Sequence, residues 1–251
     1  MHRLNLRAQE AGPFYPPGAR LRLCWGTLPP AIEARALLSW FDPQYLKAHG
    51  QNIAFKGGRG QTILFSLQGH DLVLRRYLRG GWWGKLAGDK FCALAPSAHR
   101  ASLEFALLER MQALNLPVPE PIAALEAQSG LCLRNALITR QIAHSQNLAE
   151  IMQSRRLSGP ELILIGRTLA RFFAAQILHT DLNLRNILLT QQGECVVIDF
   201  DKCAQLKCLS KAKQEEMLAR LLRSFNKEQR LRHIHFKEAD FATLKAACLK
   251  A

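Results

Sequence analysis

Between His179 and Asp201 the chain reads H-T-D-L-N-L-R-N-I-L-L, a short turn, then C-V-V-I-D-F-D. The pattern predicts a loop, a strand, a tight turn at Gln192-Gly193-Glu194, and a second strand ending in an acidic pair. Three of its oxygen-bearing side chains fall at telling spacings: Asp181, Asn186 five residues on, and Asp199 eighteen residues on. That set suits phosphoryl transfer. One carboxylate, Asp181, would face the attacking hydroxyl, while Asn186 and Asp199 would hold Mg²⁺ against the phosphates of ATP. The chemistry needs both functions, because phosphate charge must be neutralised while one carboxylate stays free to orient the acceptor. The plainer account is a loop capped by Asp181 and two solvated carboxylates at a strand end. The number of parts in their expected context favours the chemistry.

The elements that would carry these residues follow from periodicity. Residues 1–30, rich in Pro and Gly, read as an irregular extension, and 31–47 as a short helix broken at Pro43. Ile53 to Phe55, Thr62 to Leu67 and Leu72 to Tyr77 read as three strands. Ser97 to Leu114 reads as a helix with Leu103, Leu107, Leu108, Met111 and Leu114 on its apolar stripe. Pro117-Val118-Pro119-Glu120-Pro121 stops it. Two strands near 121–126 and 131–139 turn at Ser129-Gly130. A short helix follows at Leu148 to Met152, then a long one at Pro160 to Leu178 striped by Leu162, Ile165, Leu169, Phe172, Phe173 and Ile177. The tail from about 210 is helical and basic. The order predicts an α+β chain with a bilobal protein-kinase-like fold. A small antiparallel β-sheet N-lobe with one main helix would span 51–140, and a mostly helical C-lobe with the catalytic loop 141–251. Residues 1–50 would form an extension packing on the N-lobe.

Further kinase parts can be placed on this frame. Gly57, Gly58 and Gly60 lie between two strands, where a backbone without side chains can approach phosphates; a plain hairpin turn is the alternative. On the third strand, where a kinase carries Lys, the candidate is Arg75. Period two puts Val73, Arg75 and Tyr77 on one face and Arg76 on the other. Arg binds phosphate bidentately, so the exchange is chemically sensible. Glu104 is the candidate ion-pair partner of Arg75, with Glu109 the competitor on the same helix. His179 is expected to shape the loop. Position 180 is Thr, where many protein kinases carry an Arg that reads a phosphorylated activation loop. Asp201 stands where D-F-G has Gly, as a further contact or an N-cap. Only fifty residues follow Asp201, and none of them reads A-P-E. A small acceptor is expected, not a polypeptide.

Composition narrows the field. The 251 residues are 48% apolar and 22% charged, ordinary for a globular chain. No stretch approaches the ~18 apolar residues of a membrane span, and the N-terminus lacks a signal-peptide core. Seven scattered cysteines without a C-x-x-C pair give no zinc or redox motif. A cytoplasmic, reducing location is expected. The net charge of +14 favours polyanionic partners: nucleic acid, anionic lipid or phosphorylated substrates.

The segments V-L-R-R-Y-L-R-G-G (73–81), E-F-A-L-L-E-R-M-Q-A-L-N-L-P-V-P-E-P (104–121), H-T-D-L-N-L-R-N-I-L-L and V-I-D-F-D-K-C resemble those of the 3-deoxy-D-manno-octulosonic acid (Kdo) kinases, of the lipopolysaccharide kinase group within the protein-kinase-like fold. The resemblance spans roughly 50–210. It implies ATP-dependent phosphorylation of the Kdo sugar, at its 4-hydroxyl, on the lipid A precursor, on the cytoplasmic side of the inner membrane. It also implies Asp181 as the catalytic residue and Asn186 and Asp199 as metal ligands. The expected partners are the Kdo-bearing lipid A precursor and the anionic inner-membrane surface. Arg75, Arg76, Arg79, Lys85 and Lys90 around Trp82-Trp83 would meet that surface, with Lys211, Lys213, Arg220, Arg223, Lys227, Arg230 and Arg232 as a second patch. Two rivals remain: a kinase of another lipopolysaccharide sugar, such as a heptose, or of a soluble small molecule; and a non-catalytic basic polyanion-binding protein. With four Trp, three Tyr and no recognisable motif, nucleic acid is not expected as a partner. Nothing in the sequence speaks to oligomeric state.

Overall fold

The computed structural model describes residues 2–7, 18–26, 33–56, 62–77 and 91–250. They fall into two compact units, Met1–Glu109 with Glu120–Gln141, and Arg110–Pro119 with Ile142–Ala251.

The first unit is built on one antiparallel sheet. Its strands are β1 (His2–Arg7), β2 (Arg20–Trp25), β3 (Gln51–Lys56), β4 (Thr62–Leu67), β5 (His70–Arg76), β6 (Phe91–Cys92), β7 (Pro121–Ser129) and β8 (Cys132–Arg140). They run in the order β1-β2-β7-β8-β5-β4-β3, with β6 also pairing β8. The reading of residues 1–30 as irregular is corrected here. Arg3-Leu4-Asn5-Leu6 and Arg20-Leu21-Arg22-Leu23 alternate polar and apolar residues, and β2 finds its partner in β7, a hundred residues away. Pro43 interrupts the helical stretch as read, since the turn before it ends at Phe41 and Asp42 is extended. It opens the helix α1 (Pro43–His49), whose N-cap Asp42 accepts the Gln44 N–H. A 3-10 turn at Ala36–Phe41 precedes it.

The alternation fixes which face is buried. Leu21, Leu23, Ile63, Phe65, Leu72, Leu74, Leu125 and Ile138 form one apolar face, and Leu37, Trp40, Phe41 and Leu46 from the turn and α1 belong to the same core. Each such side chain contributes about 1.5–3 kcal/mol by burial. β7 is buried at every position from Pro121 to Ala127, as a central strand covered on both faces must be. The opposite face receives the helix α2 (Arg100–Ala113). The buried Asn135 side chain accepts the Ala101 N–H and donates to the Ala98 oxygen, tying the helix start to β8. The helix begins after a 3-10 turn at Pro96–Ala98. Its buried stripe keeps Leu107, Leu108 and Met111 of the expected set and adds Ala101 and Phe105, whereas Leu103 and Leu114 are about half exposed.

The second unit carries helices α3 (Leu148–Ser154), α4 (Gly159–Ala174), α5 (Lys211–Arg232) and α6 (Glu238–Leu249). It also carries β9 (Ser145–Asn147), β10 (Ile177–Leu178), β11 (Ile187–Thr190), β12 (Cys195–Val197) and β13 (Ala204–Gln205). Capping boxes start α3 at Asn147 and α4 at Ser158. α4 buries Leu162, Ile165, Leu169, Phe172 and Phe173. It ends earlier than the stripe predicts, because Gln176 takes a left-handed φ of 63° and Ile177 passes into β10. The antiparallel β10–β13 pairing and the sheet β12-β11-β9 bracket the loop of interest.

Candidate active site

The motif hairpin forms as its sequence requires. β11 pairs β12 antiparallel, Leu188 opposite Val196, and Gly193 supplies a φ of 80° in the turn between them. Upstream lies the loop bearing Asp181; downstream, the chain that leaves β12 reaches Asp199 and Asp201. Hydrogen bonds join these two segments within the second unit.

His179 is 2% exposed. Its Nδ1 accepts the Asp181 N–H at 3.2 Å, so the ring proton sits on Nε2 and is donated to the Ile198 oxygen at 3.1 Å. Burial lowers its pKa, which holds the ring neutral. With both nitrogens engaged, the ring ties the Asp181 loop to the segment that follows β12. It also packs at 4.9 Å against Phe200, itself fully buried and stacked on Phe172. Asn186 ties the other side. Its Nδ2 donates to the Asp181 oxygen at 2.9 Å, while its main-chain oxygen accepts the Ile198 N–H at 2.9 Å. Asn183 Nδ2 donates to the same Asp181 oxygen at 3.0 Å, and its Oδ1 accepts the Arg185 N–H. The main chain of Asp181 is thus held from three directions while its side chain stays exposed.

Asp199 has a φ of 65°. A non-glycine residue in this region costs of order 1–3 kcal/mol and is retained where the surroundings over-determine it. Thr180 Oγ1 donates to the Asp201 oxygen at 3.2 Å, and Cys203 Sγ receives the Thr180 N–H at 3.3 Å. Residues 202–210 lead directly from Asp201 to the first turn of α5. α5 braces the loop from behind: Ser224 Oγ accepts the Leu184 N–H, and the buried Glu228 pairs with Arg185 at 3.0 Å.

The donors suit Mg²⁺ by type. Asn186 has its amide N–H₂ committed to the loop, which leaves Oδ1 for a cation, and Asp199 offers carboxylate oxygens; both are hard ligands. No group of three or more His, Cys, Asp or Glu side chains gathers for a metal among the described residues. A few protein oxygens, completed by water and substrate phosphates, is the usual way Mg²⁺ is bound.

In the first unit, Arg75 on β5 forms an ion pair with Glu104 on α2, whose carboxylate is 3% exposed. Tyr77 joins them: its hydroxyl donates to Glu104 at 2.6 Å and accepts from Arg75 at 3.1 Å. Burial, then the Glu104 charge, pushes the Tyr77 pKa well up. The guanidinium of Arg75 also lies 4.7 Å from the Tyr77 ring centre. The sequence placed Tyr77 on the face of Arg75 without assigning it a part. Thr180, Asn183 and Cys203 were missed as loop fasteners. Gly57, Gly58 and Gly60 lie outside the described residues, as do Arg79, Trp82, Trp83, Lys85 and Lys90. Arg76, counted with that basic group, donates to the Phe41 oxygen at 3.3 Å.

Residues 45–247 match the family model of the lipopolysaccharide kinase (Kdo/WaaP) family. A protein named 3-deoxy-D-manno-octulosonic acid kinase from Vibrio vulnificus is 39% identical over 207 residues, which cover 82% of this chain and 87% of the relative. Its namesake in Haemophilus influenzae is 36% identical, covering 83% of this chain and 89% of the relative. That of Vibrio cholerae is 33% identical, covering 82% and 86%. A base candidate and two metal-ligand candidates on two hydrogen-bonded segments, an Arg–Glu pair on strand and helix, and a family match over most of the length agree. The chain belongs to the lipopolysaccharide kinase (Kdo/WaaP) family.

Proposed function

We propose that the protein transfers the γ-phosphoryl group of ATP to the 4-hydroxyl of a Kdo sugar on the lipid A precursor, with Asp181 as the base. The carrying observation is that the Asp181 main chain is pinned by His179, Asn183 and Asn186 while its carboxylate stays exposed. A carboxylate on a fixed backbone is what orienting an acceptor hydroxyl requires. Relatives named for Kdo at 33–39% identity support the substrate over a heptose or a soluble alcohol. Asn186 and Asp199 would hold Mg²⁺, which supplies charge neutralisation on the phosphates when bound. Arg75, braced by Glu104 and Tyr77, would meet the nucleotide phosphates in place of Lys, and Gly57, Gly58 and Gly60 would cover them. Residues 51–140 would serve as the N-lobe, 141–251 as the C-lobe, and 1–50 as an extension of the N-lobe.

The protein would work at the cytoplasmic side of the inner membrane, on its surface. No helix among the described residues is long and apolar enough to cross a membrane. α5 shows a stripe of basic residues at three-, four- and seven-residue spacing: Lys213, Arg220, Arg223, Lys227 and Arg230. All but Arg220 are exposed. Each basic residue near an anionic leaflet contributes about 1 kcal/mol.

The test is mass spectrometry of a Kdo-bearing lipid A precursor incubated with protein, ATP and Mg²⁺. The expected result is a gain of one phosphate, absent in Asp181→Ala and Asp199→Ala. No gain, with Mg²⁺-dependent ATP binding intact, would move the acceptor to another sugar.

A further inference from the structure

A groove of about 490 Å³ opens on the first unit, on the sheet face that carries α2, lined among others by Asn5, Arg7, Arg20, Arg22, His99 and Gln128. It lies away from Arg75. Following the register, Arg75 stands opposite Leu137, then Ala124, Cys24 and Arg3, so Arg3 is four strands away, roughly 19 Å at the usual spacing. Arg7 is four residues further along β1, roughly another 13 Å.

Its charges are arranged against ordinary sheet pairing. Arg7 and Arg20 are directly opposite each other, with Gln128 next in the same row. Like charges in directly opposed positions destabilise a strand pair. Among the described residues neither arginine has a carboxylate partner. The nearest carboxylate in the row beside them is Glu126, 2% exposed, and it is already engaged. It accepts from His99 at 2.7 Å, from Arg22 at 3.3 Å, and from the main chain and hydroxyl of Ser102 at the start of α2. Glu126 therefore anchors Arg22 and His99 at one end and leaves the Arg7–Arg20 end with two unbalanced positive charges.

We propose that this groove is an anion site that takes a phosphate monoester. Two guanidinium forks match phosphate oxygens in pairs. Their summed charge matches the −1.5 to −2 or so of a phosphate monoester at neutral pH, where a diester carries about −1. The Asn5 and Gln128 amides add hydrogen-bonding groups without charge. A volume near 490 Å³ holds more than a bare phosphate and suits a phosphorylated sugar or headgroup.

The probes are inorganic phosphate and vesicles of phosphatidylcholine with and without phosphatidic acid, whose headgroup is a monoester. Thermal unfolding of the full-length protein is followed in phosphate and in chloride at equal ionic strength. Phosphate should raise the unfolding midpoint of the wild type above the chloride control, and Arg7→Gln/Arg20→Gln should lose that response, with affinity about tenfold weaker or more. The double variant should unfold no lower than wild type without phosphate, since a like-charge pair is removed. Gln128→Glu places a carboxylate in the same row: it should raise the midpoint without phosphate and abolish the response. Capture by phosphatidic acid vesicles that falls in the double variant assigns the monoester to a lipid surface. Equal capture, with the phosphate response still lost, assigns it to a soluble ester. A wild type indifferent to phosphate, or variants that respond like wild type, would overturn the site. No nucleotide or acceptor is present in these measurements, so their failure is separate from failure of the transfer assay.

Discussion

Asn186 Nδ2 donates to the main-chain oxygen of Asp181 at 2.9 Å, so the side chain that fastens the candidate base is also the one proposed to offer its Oδ1 to Mg²⁺. These two duties can be separated. Asn186→Asp keeps an oxygen for Mg²⁺ but forfeits the N–H and sets a carboxylate against a carbonyl. We expect kcat in Asn186→Asp to fall by about 10²-fold or more, as small displacements of a reacting group do, and to lie near that of Asn186→Ala at every Mg²⁺ concentration. Steady-state kinetics across a Mg²⁺ titration checks this. Near wild-type turnover in Asn186→Asp would mean that only the oxygen matters.

Arg75, Tyr77 and Glu104 should behave as one unit. Glu104 is buried, and its carboxylate accepts from both Arg75 and Tyr77. Arg75→Ala leaves that charge underpaired and should cost about 3–5 kcal/mol of folding stability. Arg75→Ala/Glu104→Ala removes the orphan and should cost less than the sum of the single changes by about 1–3 kcal/mol. Denaturant unfolding of the four proteins in the cycle measures the coupling. Additive losses would show that the three groups are neighbours without being partners.

What could be read from the sequence was local. β4 alternates Ile63, Phe65 and Leu67 inward with polar or half-buried neighbours, and that rhythm gives the strand within its own six residues. Asp181, Asn186 and Asp199 were visible because their spacing is carried by one loop and one hairpin. β1 and β2 show the opposite case: their alternation is present, but they sit among Pro and Gly, and β2 is held by β7, remote in sequence. On α2 the periodic leucines pointed to Leu103, whereas the buried positions are set by the sheet below, which takes Ala101 and Phe105. The left-handed φ of Asp199 leaves no trace in composition, since Asp tolerates that region better than most residues. The bond from His179 to Ile198 depends on a fold already formed.

Gly166 on α4 lies against the backbone of α6. A Cβ built there would lie 2.4 Å from the Leu244 oxygen and 2.7 Å from the Ala247 Cβ on α6. The obstacle is backbone, so no side-chain rotation relieves it. Alanine would otherwise gain up to about 1 kcal/mol in a helix interior. Overpacking of about 1–3 kcal/mol should outweigh this, and Gly166→Ala should unfold at lower denaturant than wild type. A Gly166→Ala protein as stable as wild type would show that α6 shifts freely.

Glu161 gives the fold an acid-sensitive fastening. Its carboxylate is pulled from the usual 4.5 down to about 2, first by hydrogen bonds from Arg155. Arg155 forms two of these, at 2.7 and 2.9 Å, and Ser158 N–H adds another at 2.7 Å. Between about 4.5 and about 2 the folded protein binds fewer protons here than the unfolded chain. The stabilisation is therefore complete above the unfolded value and is lost as pH falls through about 2. The whole shift would correspond to about 3 kcal/mol, but Arg155 is 52% exposed, and screening reduces the expected value to about 1 kcal/mol. Glu161→Gln, which can still cap α4, should thus lose about 1 kcal/mol at pH 7. The gap to wild type should narrow steadily as pH falls below about 4.5. Urea unfolding at pH 7, 4.5 and 3 follows it. A gap as wide at pH 3 as at pH 7 would place the loss in the cap geometry and not in the charge.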